Sequence, residues 1–202
     1  MSLQAKLSAV GLAFAVGLSP VGFQDALARA ARPSPEQVSP EYVSPEHATE
    51  LYFDAARSGR VDLLDGLIKA GMNPDERDPR GFSPLILAAY NGQVQAVDFL
   101  IAKGADPCAT DPKGNNALMG VAFKGDSKVA ERLLAEHCDV NAANKAGQTA
   151  LMMAALFGRT DVVRLLIAHA ANAALKDQAG NTAVDLARQQ SNSEMVTLLG
   201  GG

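Results

Sequence analysis

The chain has 202 residues, 48% of them hydrophobic and 5% aromatic, with 18 Lys+Arg against 22 Asp+Glu for a formal net charge of −4. This composition excludes a disordered or fibrous chain and fits one domain of ordinary size, while the lack of any basic run removes the electrostatic footprint of a protein that tracks a phosphate backbone. Two cysteines are too few to staple a small secreted fold and lack the close pairing of zinc knuckles or redox motifs.

At the N-terminus, Lys6 precedes an uncharged, mostly apolar stretch from Leu7 to Leu18 that is too short to span a bilayer as a helix. It reads as a secretory signal peptide over residues 1–28, with small residues for cleavage near Ala28 or Ala30. An uncleaved anchor is the alternative. No Cys or twin Arg accompanies the stretch, so unfolded export to the periplasm, or secretion, is the simpler expectation. Residues 29–46 then repeat Ser34-Pro-Glu, Ser39-Pro-Glu and Ser44-Pro-Glu, a Pro-rich linker. Only the third copy leads into a sustained apolar pattern, so a helix is expected from Ser44 or Pro45.

From residue 47 onward a 33-residue period organises the chain. Gly81, Gly114, Gly147 and Gly180 form one register and Gly59, Gly92, Gly125 and Gly158 another. Leu67, Leu100, Leu133, Leu166 and Leu199 keep the same count, as do Ala56, Ala89, Ala122 and Ala155. Within a period, Leu85, Ala88 and Ala89 and then Val94, Val97, Leu100 and Ile101 have helical spacing, broken by Gly92. Each unit is therefore two short helices followed by a segment rich in Asp, Pro, Asn and Gly, and units near 48–77, 78–110, 111–143, 144–176 and 177–202 must stack to bury their apolar faces.

The motif Gly81-Phe-Ser-Pro-Leu-Ile-Leu-Ala-Ala89, repeated as Gly147-Gln-Thr-Ala-Leu-Met-Met-Ala-Ala155 and more weakly from Gly114, resembles the helix-opening pattern of ankyrin repeats. Gly104-Ala-Asp-Pro-Cys-Ala and His137-Cys-Asp-Val-Asn-Ala142 resemble that family's unit ending. An exported bacterial ankyrin-repeat protein is the implied identity. The resemblance implies an all-α solenoid of about five stacked helix-turn-helix units joined by β-hairpin fingers. The last unit is expected to lose its second helix into the terminal glycines. Ile86, Met119, Met152 and Asp185 replace the family's helix-opening His, so apolar contact must carry more of the adhesion between units.

Chemistry is sparse. His47, His137 and His169 fall at unrelated phases with no partner at helical spacing, and no nucleophile elbow, phosphate-cradling loop or dinucleotide fingerprint occurs. No catalytic, cofactor-binding or metal-binding residue is assigned, and the protein is read as no enzyme. His137 stands where Gly71 and Gly104 end helices, a position His tolerates. Cys108 and Cys138 fall at different phases, so Cys138 reads as a small buried core residue in preference to one half of a disulfide.

Solenoids recognise partners with the concave face, where successive units place equivalent side chains side by side. Carried over from the family, the finger positions are Arg80, Phe82, Lys113, Asn115 and Gln148, with Lys145 on the rim, and the helix positions are Tyr90, Asn91, Phe123, Lys124, Leu156 and Phe157. Aromatics flanked by cations are typical of interface cores. The reading is a non-catalytic, periplasmic, monomeric module that binds another exported protein between Phe82 and Phe157, with no nucleic acid and, after signal removal, no membrane as partner. Packing of some of these rings between units is the bland alternative. The competing functions are a secreted effector, or a metal or heme handler using His137, His169, Met119 and Met152.

Overall fold

A computed structural model describes residues 44–201. The expected signal peptide and most of the linker lie outside the described residues. Among the described residues ten helices pair into five units: α1 (Pro45–Ser58) with α2 (Val61–Lys69), α3 (Pro84–Tyr90) with α4 (Val94–Ala102), α5 (Ala117–Lys124) with α6 (Ser127–Leu134), α7 (Ala150–Leu156) with α8 (Thr160–Ala168), and α9 (Ala183–Gln189) with α10 (Ser193–Leu198).

The first helix of each unit starts at a side-chain cap. Ser44 accepts from the His47 amide, with Pro45 at the first helical position. Ser83, Asn116, Thr149 and Thr182 accept from the amides of Ile86, Met119, Met152 and Asp185, which satisfies an orphan donor at each helix start. Where the family has His, the side chains of Ile86, Met119 and Met152 are buried, and Asp185 instead closes a capping box with Thr182.

First helices α1, α3, α5, α7 and α9 pack side by side in one layer, and α2, α4, α6 and α8 form a second layer behind them. The leucine register runs between the layers: Leu67, Leu100, Leu133, Leu166 and Leu199 are all buried. The small register lets the helices approach, with Ala56, Ala89, Ala122 and Ala155 also buried. The last unit keeps its second helix, contrary to expectation. Asn192 caps it through the Met195 amide, Met195 is wholly buried and the C-cap residue Leu199 is buried too, so one cap and these two apolar anchors suffice for six residues.

The expected hairpins are reduced to turns. Thr110–Asn116 and Ala143–Thr149 form single antiparallel bridges, and no strand occurs among the described residues. Each turn is organised by a carboxylate or amide at one phase. Asp78 Oδ1 accepts from the amides of Arg80 and Phe82, Asp111 Oδ1 from Lys113 and Asn115, Asn144 Oδ1 from Ala146 and Gln148, and Asp177 Oδ1 from Ala179 and Asn181. Neighbouring turns join directly, the Lys145 amide donating to the Lys113 carbonyl and the Gln178 amide to the Ala146 carbonyl, both at 2.9 Å. Gly147 has φ +75°, and a Cβ there would lie 3.0 Å from the Gln178 nitrogen, so this register needs glycine for both conformation and clearance.

The cysteines are the main correction. Cys108 and Cys138 form a disulfide with Cα atoms 5.4 Å apart, and Cys138 is half-buried in a loop, outside the core. The reason lies in the loops that follow the second helices, which step back toward the preceding unit. Asp75 accepts from the Asp106 amide at 2.9 Å and Asn141 from the Asn172 amide at 2.7 Å, each contact spanning 31 residues. Asp75, Cys108 and Asn141 occupy the same place in successive units. The disulfide thus takes the position of a side-chain-to-amide bond at the junction of units two and three.

The same junction lacks a second fastening. Elsewhere the second helix closes through a left-handed residue, Gly71, Gly104 or Ala170, after which Met72, Ala105 or Ala171 donates back to Leu67, Leu100 or Leu166. His137 does not take the left-handed conformation, and α6 ends at Leu134 without that closure.

Candidate partner-binding face

Tyr90 and Phe123 stand at the C-terminal ends of α3 and α5, one period apart, and Phe157 caps α7. Their rings form a row along the stack. Tyr90 lies nearly parallel to Phe123 with centroids 6.1 Å apart, and Phe123 meets Phe157 edge-on at 4.5 Å, both favourable arrangements. The Tyr90 ring fits beside Gly120, where a Cβ would come within 3.4 Å of it. Lys124 Nζ lies 5.1 Å over the Tyr90 ring. Tyr90 and Phe157 keep 39% and 41% of their surface exposed, so this apolar row faces solvent at both ends while Phe123 is half-buried between them.

One depression borders the row and a second lies at the finger turns. The first, of about 310 Å³, is lined by Tyr90, Asn91, Lys124 and Asp126. The other, of about 500 Å³, runs beneath the finger turns and is lined by Lys113, Asn115, Lys145, Gln148, Met153 and Gln178.

The structure divides the expected site residues into two groups. Tyr90, Phe157, Lys113 and Lys124 are exposed, Lys124 over the Tyr90 ring, and Phe123 is half-buried between the two exposed rings. The others are engaged internally. Phe82 packs against the core beneath the Arg80 guanidinium at 5.1 Å, which also pairs with Asp78. Leu156 is half-buried against the core, so the row continues through Phe157, one position out of register. Asn91 Nδ2 donates to the Leu87 carbonyl at 2.8 Å. Asn144 donates to Asn115 at 2.8 Å and to Gln148 at 3.3 Å, so these amides form a ladder between fingers. Met153 and Gln178 are new members of the face. Their signal was present in the period, since Met153 follows Gly120 by 33 residues and Gln178 follows Lys145 by the same step.

Electrostatics at the fingers are structural. Burial pushes the Asp78 carboxyl up, but the amides of Phe82 and Arg80 and the Arg80 guanidinium outweigh it and hold the group below its ordinary value. Arg57 reaches the same carboxylate from α1 at 3.3 Å, tying unit one to unit two. Tyr52, in unit one and outside the row, has a buried hydroxyl without a hydrogen-bond partner among the described residues, and burial pushes its ionisation far up. Met119 and Met152 are buried in the first-helix layer, whereas His137 and His169 are exposed at the ends of second helices. The structure does not bring these four together, and no group of three or more His, Cys, Asp or Glu suited to a metal ion occurs among the described residues.

The fold and the solvent-facing row define a repeat scaffold built to present a surface. The family described as ankyrin repeats (3 copies) matches residues 52–144 and again 118–201, and the chain belongs to the ankyrin-repeat family, whose members are generally protein–protein interaction modules. The search of curated proteins gives no match.

Proposed function

We propose that this chain is a non-catalytic binding module of the bacterial cell envelope that engages another exported protein through the concave face of units two to four. The row Tyr90–Phe123–Phe157 carries the reading. It leaves apolar rings in solvent, packed ring against ring along three units, and aromatic anchors of this kind are enriched at interface centres. Export is supported by the apolar N-terminal stretch and by the disulfide, a bond that persists in oxidising compartments. No described helix is long and apolar enough to cross a membrane.

The test has two arms. Fractionation of cells expressing the full chain should place it, shortened at its N-terminus, in the periplasm or medium. The oxidised chain used as bait in the matching extract should retain a protein that a folded Tyr90→Ala/Phe123→Ala/Phe157→Ala variant releases. A partner retained equally by both would place binding elsewhere on the solenoid.

A further inference from the structure

The described carboxylates are unevenly distributed between the two helix layers of the stack. In units two to four the first helices, Pro84–Tyr90, Ala117–Lys124 and Ala150–Leu156, contain no Asp or Glu. The finger carboxylates Asp78 and Asp111 are buried, at 5% and 8% exposure, and spent on backbone amides. Lys113, beside Asp111, and Lys145, beside the inward-turned amide of Asn144, are exposed with no carboxylate partner among the described residues. Lys124 is exposed over the Tyr90 ring, in a depression that Asp126 also lines. On the second-helix side carboxylates are present in every one of these units, as Asp98, Glu131 and Asp161. Lys103 pairs with Asp65 at 2.9 Å and Arg132 with Asp98 and Glu136, while Lys128 and Arg164 have no carboxylate partner among the described residues. A chain with net charge −4 therefore presents unpaired positive charge on the face that carries its exposed rings.

We propose that the occupant of this face is an acidic polypeptide segment with an aromatic or large apolar anchor. Its carboxylates would meet Lys113 and Lys145 along the finger groove, and its anchor the Tyr90–Phe123–Phe157 row. This rests on the concave-face reading above and specifies the partner's chemistry. Unpaired charge in a partly enclosed groove steers oppositely charged partners and penalises like-charged ones. Nucleic acid fits less well, because Lys113, Lys124 and Lys145 fall short of the phosphate contacts that sustain such binding.

The test is selection from a random dodecapeptide display library on the immobilised, oxidised full chain. The same library is panned on a Lys113→Glu/Lys145→Glu variant and on the three-ring alanine variant, each first shown to melt like the parent. Parent-selected peptides should be rich in Asp and Glu with an aromatic or Leu. They should lose about tenfold or more in affinity on the charge-reversed variant, whose own selection should turn basic. Peptides that need the rings but show no acidic excess, or bind the reversed variant equally, overturn this proposal and leave the concave-face reading standing. Failure to select any peptide dependent on either lysines or rings overturns both. Tighter binding of oligo-dT, lost on charge reversal, overturns the choice of a polypeptide.

Discussion

Reduction of Cys108–Cys138 should cost more than any single surface contact in the stack. The bridge spans 30 residues, and the chain-entropy relation for a loop of that size gives about 3.6 kcal/mol at 25 °C. The junction it holds lacks both fastenings found elsewhere, the loop-to-amide bond of Asp75 or Asn141 and the left-handed closure of Gly71, Gly104 or Ala170. Urea unfolding of the oxidised chain, the chain in reductant, and a Cys108→Ser/Cys138→Ser variant should show the last two weakened equally by about that amount. A Cys108→Asn/His137→Gly/Cys138→Ala variant rebuilds the arrangement of the neighbouring units. It should recover roughly half the loss, through one hydrogen bond of about 1 kcal/mol and a relieved helix end. Amide exchange at Leu134–Asp139 should rise on reduction before the rest of the stack responds. If reduction shifts stability by less than about 0.5 kcal/mol, or the rebuilt variant is no better than the serine pair, the bridge does not substitute for those fastenings.

The aromatic residues should separate in thermal melts: Tyr90→Ala and Phe157→Ala, both exposed, should each cost less than about 1 kcal/mol, while Phe82→Ala, packed on the core, should cost about 2–3 kcal/mol. Gly147→Ala should cost about 1–3 kcal/mol from positive φ and backbone contact combined, more than Gly104→Ala, which meets open space despite its φ of +90°. Asp78→Asn should lose about 2 kcal/mol at pH 7, because the carboxylate accepts two amides and two guanidinium contacts. The folded carboxyl titrates below its ordinary value, so the unfolded chain binds more protons as pH falls below about 4. The advantage of Asp over Asn should therefore be complete at neutral pH and vanish in acid, which parallel urea titrations will show.

The 33-residue register was legible because each layer of the stack repeats the same burial: Leu67, Leu100, Leu133, Leu166 and Leu199 meet one environment five times. The loop contacts between successive units follow a different count. A loop that steps back toward its predecessor touches residues 30 or 31 positions away, so judging Cys108 and Cys138 by their phase within 33 separated two residues that the fold joins. The same distinction governs the binding face. Register alone put Leu156 beside Phe123, yet α7 ends at Leu156 and its cap residue Phe157 swings the next ring into the row. Register also offered Phe82, Asn91, Asn115 and Gln148 as equivalent to the rings, but only packing and hydrogen bonding reveal that these four are already occupied. Periodicity specifies which positions face the groove. What remains free there to bind is decided by the exceptions, the out-of-register ring at Phe157 and the lysines Lys113 and Lys145, whose neighbours Asp111 and Asn144 are turned inward to hold the fingers.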